Sequence, residues 1–399
     1  MIFVKLALIF LLIIVLLACN RPLWQAILGG LAATALLYQI MPLDMVRLTG
    51  NVVTSWSSVS VLLSLYLITF LQRILEARSQ IRLAQEDLNG LFHNRRVNII
   101  GACLFIGLLP SAASMLLCAE LVKNATDGYL DAKEQAFVSS WFRHIPESML
   151  PTYTAVLLML SLSGVETSKF MVGMIIPVLF LGALGYFVYL RRVPTTVDSP
   201  KSQNRWLDFA HLFQHLWSLL LILVLILAFH FEVVTAVLVS IVLSILAYHI
   251  TVPELKQFFV SAFEKKMLGN TFLVLILKEF LSFTGVLPQL PDALAKLPLP
   301  TYLIFGLLFF LATIISGSTA AIAMGTPLAF AAIPGGAPLM IYLMCMAHAA
   351  SQLSPTHVCL VVASDYFHIT LGELVRKTIP ISIAFCVLVT LYYNLLLLL

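Results

Sequence analysis

Proline and glycine interrupt the apolar runs of this chain at points where a membrane helix should be continuous. No other feature narrows its folding options as much. In Ser351-Gln352-Leu353-Ser354-Pro355-Thr356-His357, the apolar run 337–350 leads in and the run 358–362 leads out. Proline lacks a backbone donor and its ring clashes with the carbonyl one turn back, so a helix cannot pass through unbroken. In lipid each freed backbone group costs several kcal/mol, so such a break persists only inside protein or against a wet cavity. The sequence therefore predicts a fold that gathers this break, and others like it, around a site at mid-membrane depth. A simple proline kink in an ordinary span is the competing reading, and repetition along the chain weighs against it.

The chain is 61% hydrophobic and 11% charged, and its runs are long enough to span a bilayer core of ~30 Å with ~20 helical residues. An all-α polytopic membrane protein without a soluble domain is expected. The longest polar stretches, 73–97 and 191–206, are short and basic. The net charge of +4 clusters in loops, as the positive-inside rule expects. It points to a lipid bilayer as partner and not to nucleic acid. Cys19, Cys103, Cys118, Cys345, Cys359 and Cys386 lie in or beside apolar runs with no paired metal spacing, so they read as small hydrophobes. Residues 1–20 resemble a secretory or lipoprotein signal with Cys19 as the modified residue. Their apolar core is long for a signal and has a counterpart in the second half, so residues 2–19 read as the first span.

Spans follow at 24–42 and 53–75, joined by polar connections at Asn20-Arg21-Pro22 and around Asp44 and Arg47. Residues 76–96, with Arg78, Arg82, Arg95 and Arg96, read as an interfacial amphipathic helix on the cytoplasmic side. Residues 97–109 reach only ~20 Å, too short to cross. They run into Pro110-Ser111-Ala112-Ala113-Ser114 and a second short helix, the pattern of a re-entrant hairpin near 97–124. Residues 131–163 form a helix broken by Ile145-Pro146-Glu147-Ser148-Met149-Leu150-Pro151-Thr152, and a span at 170–190 follows. The second half retraces this plan. Spans lie at 207–228 and 233–250, followed by an amphipathic connector 253–266 and a span 271–286. A proline-rich turn 287–300 precedes a hairpin 302–332, which breaks at Ser316-Gly317-Ser318-Thr319. The broken helix 337–367 and a last span 379–398 complete the chain.

Laid together, the Pro110 tip meets the Gly317 tip, and Pro151-Thr152 meets Pro355-Thr356. This is an internal repeat of about half the chain, with residues 1–195 as one copy and 206–399 as the other. If 73–96 and 191–206 are cytoplasmic, span 53–75 runs inward. Its counterpart 271–286 starts from a basic connector and runs outward, so the copies are inverted. Inverted repeats with broken helices at the midplane are the architecture of secondary transporters.

The four breaks offer Ser111 and Ser114; Ser148 and Thr152; Ser316, Gly317, Ser318 and Thr319; and Ser354 and Thr356. Free N–H groups at a helix N-terminus suit an anion. Carbonyl and hydroxyl oxygens suit Na⁺, one of the two candidate coupling ions beside H⁺, and no cofactor is expected. Ionisable groups at membrane depth default to functional candidates: Arg143, His144 and Glu147 at the first-half break, Lys278 and Glu279 inside a span, and His357 and Asp365 around the last break. The blander readings are an Arg143–Glu147 pair near an interface, a snorkelling Lys278 and structural histidines. No His-Glu-x-x-His, Cys-x-x-Cys, phosphate loop or serine–histidine–acid set is present, so no metal site and no enzyme are expected.

Trp141-Phe142-Arg143-His144, the Pro151-Thr152 break, Lys278-Glu279, Ser316-Gly317-Ser318 and Ser354-Pro355-Thr356-His357-Val358-Cys359-Leu360 with Asp365-Tyr366-Phe367 resemble a family nearly end to end. It is the prokaryotic membrane family called domain of unknown function 401. That family is similar to the ion transporter superfamily of gluconate, citrate and dicarboxylate permeases and sodium/proton antiporters. The resemblance implies two hairpins, two broken helices and a substrate between them, with the hydroxyls named above as ligands. The Ser-Asn-Thr signature of the dicarboxylate branch is missing at all four breaks. The expectation is a secondary active transporter of a small organic anion, probed first with carboxylates. It would couple to H⁺ or Na⁺, work by alternating access in the cytoplasmic membrane of a prokaryote, and be compatible with a homodimer. The alternative is a membrane-embedded enzyme or lipid-handling protein that uses the polar breaks.

Overall fold

The computed structural model describes residues 2–19, 21–80, 83–84, 94–108, 113–196, 205–289 and 298–398. The expected interfacial helix 76–96 falls largely outside these residues, as do Pro110 and Ser111. The described chain is helical throughout. In the first half lie α1 (Ile2–Ala18), α2 (Leu23–Leu37), α3 (Pro42–Thr54), α4 (Trp56–Ala77), α5 (Arg95–Ile106), α6 (Ala113–Thr126), α7 (Ala132–His144), α8 (Thr154–Ser163), α9 (Thr167–Gly173) and α10 (Ile175–Val188). In the second lie α11 (Arg205–Leu227), α12 (Val233–Ala247), α13 (Val252–Ser261), α14 (Lys265–Phe283), α15 (Thr301–Ser316), α16 (Ser318–Ala332), α17 (Gly336–Ser351), α18 (Val358–Tyr366) and α19 (Leu371–Leu396). Four stretches, Trp56–Ala77, Thr167–Val188, Trp206–Leu227 and Leu371–Leu396, are long and apolar enough to cross a membrane. The protein is an all-α polytopic membrane protein.

Local chemistry sets the helix starts. The Asn94 side chain accepts from the N–H groups of Arg96 and Val97 and opens α5. Reciprocal capping boxes open α7 (Asp131 with Glu134), α13 (Thr251 with Glu254) and α19 (Thr370 with Glu373), each satisfying two orphan donors. Pro42 stands in the first turn of α3, where its missing donor costs nothing. The region around Asp44 and Arg47 is thus a helix and not the polar connection the composition suggested. The preceding span ends at Leu37, short of residue 42. The basic pair Lys265-Lys266 opens α14 instead of closing a connector. The span expected at 170–190 is two helices that meet at Met174.

The end of α2 and the end of α12 share one corner. After Tyr38, Gln39 turns to φ 55° and the Ile40 N–H returns to the Ala35 carbonyl. After Tyr248, His249 turns to φ 49° and the Ile250 N–H returns to the Ile245 carbonyl. A helix with proline in its first turn follows in both cases. Packing between the halves is reciprocal as well. Helix α2 lies against α14 and α12 against α4, while α8 lies against α16 and α18 against α6. The broken helices form the core: every residue of α7 from Glu134 to His144 is buried, and α17 is buried through most of its length. The outer helices carry exposed leucines such as Leu11, Leu246 and Leu391, the surface a bilayer solvates.

Candidate functional site

Gly317 separates α15 from α16 at φ 84° and ψ 160°. That backbone region is essentially open to glycine alone, so the residue type fixes the hairpin tip. The Ser316 hydroxyl folds back on the Ala312 carbonyl at 2.7 Å. Helix α16 begins at Ser318 with no side-chain cap, so its first N–H groups stay available.

The tip is stitched to the break between α17 and α18. The Ser354 hydroxyl reaches the Ile314 carbonyl of α15 at 2.9 Å and the Thr356 hydroxyl at 2.8 Å, and it accepts from the Thr356 N–H at 3.3 Å. Helix α18 then starts at Val358, again with no side-chain cap. The His357 Nδ1 lies 3.1 Å from the Ser351 carbonyl. A carbonyl can only accept, so that nitrogen carries the proton.

The first-half break arrives from the other side. Helix α7 ends at His144, and a single 3-10 turn, Pro146–Ser148, precedes α8. Arg143 is buried and donates from Nε and Nη2 to the Ser114 hydroxyl at 3.1 and 2.9 Å. Its Nη1 stands 3.5 Å from a Glu147 carboxylate oxygen, and the His144 Nε2 stands 3.8 Å from the same oxygen. The His144 and His357 rings meet edge to face with centroids 4.6 Å apart. The breaks enclose a cavity of about 310 Å³ lined by Glu147, Ser316, Gly317, Ser318, Thr319, Ser351, Ser354, Thr356 and His357, with Leu23, Ala320 and Val358. A larger apolar groove of about 520 Å³ runs among Ile14, Leu303, Leu307 and Leu311 along α15. Its walls are hydrocarbon except at Ser316 and offer little to orient a polar ligand, so the smaller cavity is the candidate site.

Residues 3–396 match the family described as "Protein of unknown function (DUF401)". The chain belongs to this family. No curated protein matches the chain. Among solved structures it is similar to the crystal structure of the Alcanivorax borkumensis YdaH transporter, described as having an unusual topology. The TM-score is 0.60 at 13% identity, over 87% of this chain and 87% of that one. At that identity the likeness is one of fold.

Within this DUF401 chain the expected site residues divide into three groups. Glu147, Ser316, Gly317, Ser318, Thr319, Ser354, Thr356 and His357 share the cavity wall. Ser114, Arg143, His144 and Ser148 are buried behind it, where the Ser148 hydroxyl is spent on the Ile145 carbonyl. The others are elsewhere. Thr152 lines a separate small hollow with Gln72, Leu75 and Leu219. Lys278 donates to the Ser161 carbonyl at 3.5 Å from α14, which also carries a half-buried Glu279. Asp365 is exposed near the end of α18. Asp365 sits past the break on a helix that leads away from the cavity, and Lys278 and Glu279 sit on α14. Thr152 lies in the turn before α8 with its side chain against α4 and α11.

The sequence did not single out Gly107 or Tyr153. The Tyr153 hydroxyl donates to the Gly107 carbonyl, and a Cβ on Gly107 would lie 2.2 Å from the Arg143 carbonyl oxygen. A glycine just ahead of Pro110 in a short helix was the available signal.

Proposed function

We propose that this DUF401 protein is a secondary active transporter of a small organic anion, a carboxylate in the first instance, coupled to H⁺ or Na⁺ and working by alternating access. One observation carries the reading. Two helix N-termini without side-chain caps, those of α16 and α18, open on a single hydroxyl-lined cavity. Each N-terminus presents unsatisfied N–H groups and about half a positive charge. Two of them converging on one cavity favour an anion at that end of it. Glu147 on the same wall is the group a coupling proton or Na⁺ would meet.

The domain reading belongs to this proposal: residues 1–195 and 206–399 are inverted copies, each with a re-entrant hairpin (97–124 and 302–332) and a broken helix (131–163 and 337–367). The twin corners at Gln39 and His249 support it, as does the exchange of partners whereby α2 packs on α14 and α12 on α4. The fold shared with the YdaH transporter is in keeping with it. Alternating access follows if the two copies exchange conformations around the fixed cavity.

The test is uptake of small carboxylates into liposomes that contain purified protein, under imposed pH or Na⁺ gradients. Accumulation above the bath concentration that collapses with one ionophore supports the reading and names the ion. Equilibration without accumulation under every gradient would overturn coupling. Binding and chemical alteration of a lipid with no uptake would overturn transport altogether.

A further inference from the structure

Behind the Glu147 wall, the side chains of His144, His357 and Cys359 offer three ligand atoms that all lie within 4.8 Å of one another. We infer that these three residues, with Glu147 as the cavity-facing fourth, form a site for a borderline-soft divalent metal ion of the Zn²⁺ class. The inference does not rest on the transporter reading.

The donor set selects the ion. Two imidazoles and a thiolate suit Zn²⁺ and its neighbours, while Mg²⁺ and Ca²⁺ ask for oxygen. Ligands at about 2.0–2.3 Å from a tetrahedral zinc stand about 3.5 Å from one another, so closing on the ion needs side-chain rotations and no helix movement.

The tautomers are already those a metal requires. The His144 Nδ1 is hydrogen-bonded to the Ser140 carbonyl, and the His357 Nδ1 to the Ser351 carbonyl. Each carbonyl holds a proton on Nδ1 and leaves the Nε2 lone pair free, the arrangement of outer-shell support around metal-bound histidines. The His144 Nε2 is fully buried with no hydrogen-bond partner among the described residues. An orphan acceptor of that kind is costly in a membrane interior, and a metal ion satisfies it.

The Cys359 thiol gives its proton to water as the ion binds. The thiolate and the Glu147 carboxylate then supply two negative charges between the metal and Arg143, which keeps its bonds to Ser114. Glu147 and His357 line the cavity, which supplies the way in.

The ligands come from both broken helices: His144 closes α7, while His357 and Cys359 open α18. A bound ion therefore clamps one break to the other and holds the cavity walls in one arrangement. If those walls move during a functional cycle, bound Zn²⁺ arrests it.

The experiment uses the purified full-length protein in detergent, stripped with EDTA and titrated with Co²⁺. Expected is one Co²⁺ per chain, with intense visible bands of a four-coordinate ion and a near-ultraviolet thiolate-to-cobalt band, both displaced by Zn²⁺. Cys359→Ser should abolish the near-ultraviolet band, and His144→Gln should weaken binding at least about tenfold. Replacing both His211 and His215, a chelate-capable pair on α11, with Gln should leave the spectrum unchanged. The wild-type spectrum alone decides if a variant misfolds: weak octahedral bands with no thiolate transition overturn the site. So does a thiolate band that survives in monodisperse Cys359→Ser protein, or one lost with His211 and His215. None of these outcomes touches the uptake assay, so the site and the transporter reading fail separately.

Discussion

Gly317→Ala isolates what the hairpin tip contributes. The added methyl would meet only the Thr356 hydroxyl, at 3.7 Å, an ordinary contact, so sterics with neighbours cost nothing. The cost lies in the backbone: at φ 84° and ψ 160° a residue with a Cβ is strained by about 1–3 kcal/mol. That strain has two outlets. If the tip keeps its shape, the whole penalty falls on stability and the melting temperature drops by a few degrees. If the tip relaxes, the N-terminus of α16 turns from the cavity, and ligand affinity falls by the same free energy, about 5–150-fold. Melting in detergent, with and without a transported anion, and the uptake KM separate the two. Gly269→Ala is the reference. It lies inside α14 with open space around the new methyl, so it should be neutral or gain about 0.4–1 kcal/mol. If Gly317→Ala melts and transports as Gly269→Ala does, the tip is not held by its glycine and the reasoning about the hairpin is wrong.

Arg143→Lys keeps a charge for Glu147 but gives up the paired donors on Ser114; folded protein with uptake cut at least about tenfold is expected. Arg143→Ala, which strands Glu147, should cost about 3–5 kcal/mol in melting experiments. Thr356→Val and Ser318→Ala remove cavity hydroxyls and should weaken uptake with melting unchanged to within about 0.5–1 kcal/mol; unaltered uptake in both would move the site elsewhere. Gly107→Ala drives a methyl against the Arg143 backbone, which cannot swing aside, so a loss of about 1–3 kcal/mol and poor yield of monodisperse protein are expected. On the connector helix α13, hydrogen bonds from Arg78 and from Thr251 hold the Glu254 carboxyl down at about 2, below its ordinary 4.5. A depressed carboxylate stabilises the fold fully above pH 4.5 and loses that contribution as pH falls toward 2. The melting difference between wild type and Glu254→Gln should therefore be flat above pH 4.5, vanish near pH 2 and shrink in high salt.

What could be read from the sequence, and what could not, follows from how local each signal is. Proline and glycine act on their own backbone. The interruption at Gly317 and the non-helical run from Gln352 to His357 were therefore legible without a structure. So was the all-α membrane class, which needs only apolar runs of sufficient length. Helix α3 was missed although Pro42 and Asp44 give it a good first turn. A half-exposed helix of that length fits neither the template of a span nor that of a loop. Thr152 was expected in the cavity because it sits beside Pro151 as Thr356 sits beside Pro355. The structure turns it into a hollow against Gln72 and Leu219, since sequence position near a break says nothing about which way the chain leaves it. The grouping of His144 with His357 and Cys359 had no spacing to announce it, because its members come from opposite halves of the chain.

The corner at the end of α2 and α12 carries the argument about duplication one step further. A positive φ is cheap for glycine and tolerable for asparagine, but it is uncommon for other residues. Here it falls on Gln39 and His249, and with the same hydrogen-bond pattern on His368 after α18, side chains with no shared reason to adopt it. What the Gln39 and His249 corners share, and the His368 corner does not, is a tyrosine before and a helix with proline in its first turn after. The conformation is therefore that of a helix end closing on its own last carbonyls, and not chosen by the residue itself. Replacing both Gln39 and His249 with glycine should then relieve strain at each corner alike, raising the melting temperature by similar, additive amounts. A gain at one corner and a loss at the other would mean that the two helix pairs are seated differently, and the matching corners would no longer support two copies of one fold.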